Sequence, residues 1–255
     1  MLINRREFIG IAGSATASLV ASHPLALAAD KPSIKAIAFD AFPIFDPRPI
    51  FALSEEFFPG HGTELSNQWR IRQFDYAWWR ALSGHYADFW QVTQDSLVYA
   101  AHLLKLELSL EKRNQLMEAY LNLKPWPDVL PALKLLRNAG IRLAILSNFT
   151  PGMLASGIKN SGLQDTFEAV LSTDQVKTFK PDPRAYQMGV DSLKLKREEI
   201  AFAAFAGWDA AGAKWFGYPT FWVNRLTLPV EELQVVPDAV GNNLYDLAKF
   251  VLSTS

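Results

Sequence analysis

The residues of this chain best suited to chemistry are Asp40, Ser147, Asn148, Lys180 and Asp209, and they share a type of position in the fold. Asp40 closes a short, uncharged apolar run, 36–39, that reads as a buried strand. In an open α/β sheet, ligands bind just beyond the carboxyl ends of the strands, which is where this carboxylate falls. Ser147-Asn148 ends a second such run, Asp209 follows a third, and Lys180 stands at the opening of a helix. Parallel strands deliver their ends to one face, so these side chains can converge although they are far apart in the chain. Taken singly, each has an ordinary explanation. Asp40 and Ser147-Asn148 suit caps or loop starts, Lys180 suits a surface lysine before a proline, and Asp209 suits a first-turn carboxylate favoured by the helix dipole. The convergence is the signal.

The elements that must position them alternate. Apolar runs at 36–39, 141–146, 169–171 and 200–205 read as buried strands, with 220–223 as the last. Helical patterns lie between and after them, at 128–138, at 151–159, after Lys180-Pro181-Asp182-Pro183, after Gly207-Trp208-Asp209, and at 244–252. This alternation predicts an α/β fold, a Rossmann-like parallel sheet in a three-layer core built from 29–48 and 123–255. Residues 49–122 read differently. Leu65, Trp69, Phe74, Trp78, Ala81 and Leu82 recur at helical spacing, as do Trp90, Leu97, Ala101 and Leu104, and Ser109 is a helix N-cap. The block predicts a helical cap subdomain inserted after the first strand, with Pro47 and Pro49 marking a hinge.

Of the 255 residues 49% are hydrophobic and 20% charged, ordinary for a soluble globular protein with a sizeable core. A net charge of −1 without basic blocks gives no sign of a nucleic acid or an anionic membrane as partner. With no cysteine, thiolate catalysis, disulfides and cysteine-ligated metals are excluded. The N-terminus stands apart. Asn4-Arg5-Arg6-Glu7-Phe8-Ile9 precedes a weakly apolar Gly/Ala/Ser run and then Ala26-Leu27-Ala28. Paired arginines before a modest apolar region and a small-x-small site suggest a twin-arginine export signal over 1–28 and a periplasmic or secreted protein, free of the membrane once cleaved. The alternative is an uncleaved amphipathic tail.

From 35 to about 252 the chain resembles the haloacid dehalogenase superfamily, and within it the type II L-2-haloacid dehalogenases. The resemblance is carried by Ala38-Phe39-Asp40, Trp69-Arg70, Leu146-Ser147-Asn148, Lys180 with Tyr186, Trp208-Asp209-Ala210-Ala211-Gly212-Ala213 and Phe216-Gly217-Tyr218-Pro219. It implies that Asp40 is a nucleophile forming an aspartyl ester at the halogen-bearing carbon of a small 2-haloalkanoic acid. It also implies that Lys180 keeps Asp40 ionised, and that Arg70 receives the halide with Asn148 nearby. Ser147 and backbone N–H groups at Ala41 and Phe42 would hold the substrate carboxylate. Tyr186 and Asp209 would orient Lys180 and the hydrolytic water. Phe42, Phe74, Phe89 and Trp208 would form a small, tight apolar pocket that excludes water. No cofactor and no metal are expected, and a homodimer is implied.

Two features qualify the resemblance. The superfamily's phosphatases carry a second Asp two residues after the nucleophile; here Phe42 stands there, and a phenyl ring neither donates a proton nor ligates a cation. The dehalogenase pattern has Gly-Thr where this chain has Pro43-Ile44, a glutamine at Ile71, and Ser and Asn at Ala204 and Ala206. Lost polar groups near the nucleophile would slow ester hydrolysis, so the second reading is an exported relative with an altered, weakly active or binding-only site.

Overall fold

The structure is a computed structural model that describes residues 33–253. The segment 1–28, read above as an export signal, lies outside the described residues. Strands β1 (Ala36–Phe39), β4 (Arg142–Ser147), β5 (Ala169–Ser172), β6 (Ile200–Ala204), β7 (Thr220–Val223) and β8 (Ala239–Gly241) form a six-stranded sheet in the order β5-β4-β1-β6-β7-β8. Every pairing in it is parallel. The chain fills one side of β1 with β4 and β5, then crosses to β6 on the other side. The C-terminal end of β1 is therefore a topological switch point, the place where such sheets open a crevice.

Strand periodicity divides the core. Ile37 and Phe39 face one apolar cluster with Leu133 and Leu136 of α5 (Val129–Asn138) and Leu247 and Val251 of α9 (Leu244–Leu252). Ala36 and Ala38 face the other, with Tyr186 and Met188 of α7 (Pro183–Leu193) and Ala210 and Phe216 of α8 (Gly207–Phe216). Burial on both faces explains why these strands read as unbroken apolar runs. Helix α6 (Pro151–Asn160) follows β4, capped by the Thr150 hydroxyl on the Met153 N–H.

The helices α1 (Arg48–Phe57), α2 (Gly62–Leu82), α3 (Phe89–Leu103) and α4 (Leu110–Ala119) lie between the strands of a short antiparallel ribbon, β2 (Phe45–Asp46) and β3 (Lys124–Pro125). Ser109 caps α4 as expected, accepting the Lys112 N–H.

Three expectations change. The hinge expected at Pro47 and Pro49 is the start of α1: Pro47 is its N-cap residue, Pro49 sits in the first turn, where a missing N–H costs nothing, and Asp46 ties down Arg48 through three bonds from its side chain. The strand at 220–223 is not the last, because β8 adds an edge beyond it. The two-residue ribbon was also unforeseen. Both new elements are too short to show a period.

Candidate active site

Asp40 leaves β1 at the switch point, its N–H still bonded to Ala203 O of β6 at 3.0 Å. Its Oδ1 accepts from Lys180 Nζ at 2.7 Å and its Oδ2 from the Phe42 N–H at 3.1 Å. The same ammonium donates to Asp209 Oδ2 at 2.6 Å, and Asp209 Oδ1 accepts from the Tyr186 hydroxyl at 2.7 Å. Asp40, Lys180, Asp209 and Tyr186 thus form one hydrogen-bonded line contributed by four separate parts of the sequence. All of them are buried.

Burial sets the electrostatics. An unpaired ion here would cost several kcal/mol, so each charge has to be matched in place. Burial alone would lower the Lys180 ammonium, but Asp209 and Asp40 outweigh it and hold the group above the ordinary lysine value. Asp209 is pushed up to about 6, chiefly by burial and further by Asp40, against the pull of Lys180. Tyr186 is driven well above the ordinary phenol value by burial and by Asp209, so it remains a proton donor.

The backbone around the line is braced. Asn148 Oδ1 accepts the Lys180 N–H at 2.9 Å and the Thr173 hydroxyl at 3.3 Å. Ser147 Oγ accepts the Phe149 N–H at 3.2 Å. On the nucleophile side, Trp126 Nε1 donates to Phe42 O at 2.9 Å, and Arg225 donates to Pro43 O at 2.9 Å while lying 4.6 Å over the Trp126 ring. That brace holds the turn containing Pro43-Ile44, where Ile44 is wholly buried.

A cavity of about 250 Å³ opens above Asp40. It brings together the expected Asp40, Phe42, Arg70, Phe74, Phe89, Ser147, Asn148, Trp208 and Asp209 on one wall system. Lys180 and Tyr186 do not line it and sit behind the two carboxylates. Ala41 is not on the wall either: it is fully buried, and its carbonyl accepts the Ile44 and Phe45 N–H groups to close the turn. The Phe42 N–H, expected to hold substrate, is bonded to Asp40 itself. Tyr186 meets Lys180 only through Asp209.

The cavity is roomier than the cap aromatics suggested, since about 150 Å³ of apolar space already accommodates benzene. Ser66, Ala206 and Gly207 are small wall residues, and Ile71 is 53% exposed at the wall. Phe42 is packed against Phe149 and Phe205 with centroids at 5.2 and 5.6 Å, and Phe74 against Trp208 at 4.9 Å, so much of the enclosure is aromatic. Gln73 and Tyr120 also line the wall and were missed. Gln73 Nε2 donates to the Thr93 hydroxyl at 2.6 Å and lies three residues after Arg70, on the same helix face, which is the one local sign that it belongs with the site.

A parallel sheet with a nucleophile-grade carboxylate at its switch point, a lysine bridging it to a second carboxylate and an inserted helical roof defines the class. The sequence model of the haloacid dehalogenase-like hydrolases matches residues 6–217. The chain belongs to the haloacid dehalogenase-like hydrolases. It is 40% identical over 206 residues to an (S)-2-haloacid dehalogenase of Pseudomonas sp. (strain YL), covering 80% of this chain and 89% of the relative. A crystal structure of an L-2-haloacid dehalogenase superposes with a TM-score of 0.85 at 42% identity, covering 86% of this chain and 99% of that one. The L-2-haloacid dehalogenase of Xanthobacter autotrophicus with chloropropionic acid covalently bound superposes with a TM-score of 0.80 at 34% identity, covering 87% and 100%.

Proposed function

We propose that this chain hydrolyses the carbon–halogen bond of short (S)-2-haloacids, giving (R)-2-hydroxyacids and halide through an ester on Asp40. The observation that carries the reading is the pairing of Asp40 with Lys180 at 2.7 Å on the floor of a cavity that Arg70 also lines. The carboxylate is kept in its charged, nucleophilic form by an ammonium that is itself matched by Asp209.

In this scheme Asp40 Oδ2 attacks carbon 2, the new C–O bond forms as the carbon–halogen bond breaks, and the halide leaves with the bonding pair toward Arg70. Arg70 is exposed and has no ion-pair partner among the described residues, so its charge is available to an anion. Ser147 and Asn148 offer polar contacts to the substrate carboxylate. Water then attacks the Asp40 carbonyl carbon while Asp209 takes its proton. The developing oxyanion on Oδ1 faces Lys180, and its collapse breaks the Oδ2 ester bond to Asp40. The remaining water proton passes to the departing alkoxide oxygen to give the hydroxyacid, and the Asp40 carboxylate is restored while Asp209 returns its proton to solvent. Inversion follows from attack on the face opposite the halogen. Phe42 stands where the phosphatases that the chain resembles carry a proton-donating Asp, and its phenyl ring neither donates a proton nor ligates a cation.

The test is chloride release from L-2-chloropropionate by the purified protein, with Asp40→Asn as control. Release by the parent alone, unchanged by EDTA, supports the reading. No halide from any of a panel of short haloacids sinks it.

A second reading is favoured by Ala206, an apolar wall residue beside Asp40, with Ile44 and Ala204 also standing where the resemblance has polar side chains: ester formation proceeds while its hydrolysis lags. The twin-arginine motif adds export to the proposal, tested by N-terminal sequencing of protein recovered from the periplasm. Trp79 and Leu82, exposed on α2, add a homodimer, tested by light scattering.

A further inference from the structure

One hydrogen bond joins the inserted helices directly to the peptide that carries the buried cation. Trp78, on α2, donates from its indole Nε1 to the Lys180 carbonyl at 3.0 Å. The N–H of the same residue donates to Asn148 Oδ1 at 2.9 Å. Lys180 is therefore gripped at its N–H by the core and at its carbonyl by the insertion, while its ammonium spans Asp40 and Asp209. The Trp78 ring also packs against Phe74 and Trp208, with centroids at 5.9 and 5.4 Å. Those two rings line the cavity; Trp78 does not.

We propose that Trp78 is a positioning residue: its indole N–H fixes where the Lys180 ammonium stands between the two carboxylates, and its contacts with Phe74 and Trp208 tie that placement to what fills the cavity. A second tie between insertion and core runs from the Tyr86 hydroxyl to Asp174 Oδ1 at 2.9 Å, six residues before Lys180, and touches no part of the reactive line. Docking of the insertion and placement of the ammonium are therefore separable by mutation. Misplacement of a reacting group by about 1 Å costs on the order of 100-fold in rate, so a loosened Lys180 has a visible kinetic consequence.

The experiment compares Trp78→Phe, Trp78→His and Tyr86→Phe. Phenylalanine keeps a ring and removes the donor; histidine superposes its Nε2 on the indole Nε1 and restores it. The titratable groups facing Asp209 are Lys180, Asp40 and Tyr186, and of these only Lys180 lowers its proton affinity through charge. A loosened ammonium therefore moves the Asp209 titration upward. With L-2-chloropropionate at about pH 8, where imidazole is neutral, Trp78→Phe is expected to lose about tenfold in kcat with KM within about twofold, and Trp78→His to recover most of it. The carboxyl ¹³C resonance of Asp209, assigned by Asp209→Asn, is expected to titrate at higher pH in Trp78→Phe and at the parent value in Tyr86→Phe. Equal losses in the Phe and His variants, or an unmoved Asp209 titration in Trp78→Phe, overturn the proposal. The kinetic arm rests on the dehalogenase reading; the resonance arm does not. A parent that releases no chloride refutes that reading and leaves Trp78 to be decided by the titration.

Discussion

Lys180 and Asp209 form a 2.6 Å ion pair with almost no exposure to solvent, yet Asp209 remains raised to about 6. Burial and the neighbouring Asp40 charge together outweigh the lysine. In the proposed role of proton acceptor for the hydrolytic water, Asp209 is useful only when ionised. The value of kcat for L-2-chloropropionate, which carries the hydrolysis step that follows irreversible halide departure, is therefore expected to be flat above about pH 7 and to fall tenfold per pH unit below about 6. The effect on the fold runs the other way. Between the ordinary value of 3.8 and about 6 the native protein holds a proton that the unfolded chain has lost, so this group's contribution to stability declines as pH rises through that window. A pH–rate profile with no acid limb between 5 and 7 would remove Asp209 from the role.

Arg70 stands on the cavity wall without an ion-pair partner among the described residues, so its loss strands no buried charge there. Arg70→Ala is expected to lower the rate of the first, chloride-releasing turnover by about 100-fold, the scale seen when one preorganised donor to developing charge is removed, and to leave the melting temperature within about 1 °C. Halide inhibition is expected to weaken in parallel. A first-turnover rate retained at saturating substrate, with only a raised KM, would assign Arg70 to substrate binding.

The water that cleaves the ester needs polar partners, typically two to four of them. Asp209 is one, but the end of β6 offers Ala204, Phe205 and Ala206. Rapid-quench measurements are expected to show a burst of one chloride per chain, followed by a slower steady rate. Mass spectrometry of the quenched protein is expected to place a propionate-derived ester on Asp40. Ala206→Asn, which adds an amide at the uncapped start of α8, is expected to speed the second phase and leave the burst unchanged. Linear release from the first turnover, with no ester mass, would show that hydrolysis is not limiting.

Arg225 carries the structural load beneath the nucleophile turn. It pairs with Asp128 at 2.9 and 3.0 Å, bonds Pro43 O and covers Trp126, with its side chain 5% exposed. Asp128 in turn accepts the Leu244 N–H at 2.7 Å, so the pair also fixes the start of α9. Arg225→Ala leaves that carboxylate unmatched and is expected to cost about 3–5 kcal/mol in urea unfolding. A loss under about 1 kcal/mol would mean that the brace is replaced by solvent.

The strands were legible because burial on both faces leaves uninterrupted apolar runs, and the start of α4 because Ser109 is a capping residue used as such. Asp40, Ser147, Asn148 and Asp209 were legible because a parallel sheet turns strand ends into neighbours. Lys180 was legible as a cation at a helix start on the same face, Tyr186 came from resemblance, and the geometry gives each a contact within the line. The rest depends on pairing that no local pattern encodes. Trp78 at i+4 from Phe74 reads as one more apolar helix position until its N–H is seen on a carbonyl 102 residues away. Arg225 reads as a loop arginine, and β8 is half-exposed and three residues long. Ala41 keeps its side chain off the cavity wall while its carbonyl closes the turn after β1.

The ribbon of Phe45–Asp46 and Lys124–Pro125 means that the chain enters and leaves the insertion through adjacent strands. Arg70, Gln73 and Trp78 all belong to the excursion between those joints, whereas Asp40, Lys180 and Asp209 belong to the remainder. The two halves of the reaction are thus inherited through different stretches of sequence. Replacing the excursion alone would exchange Arg70 and the helical part of the cavity wall while Asp40, Lys180 and Asp209 stayed in place, so lineages built on this plan are free to change what enters the cavity without rebuilding the charged line beneath it.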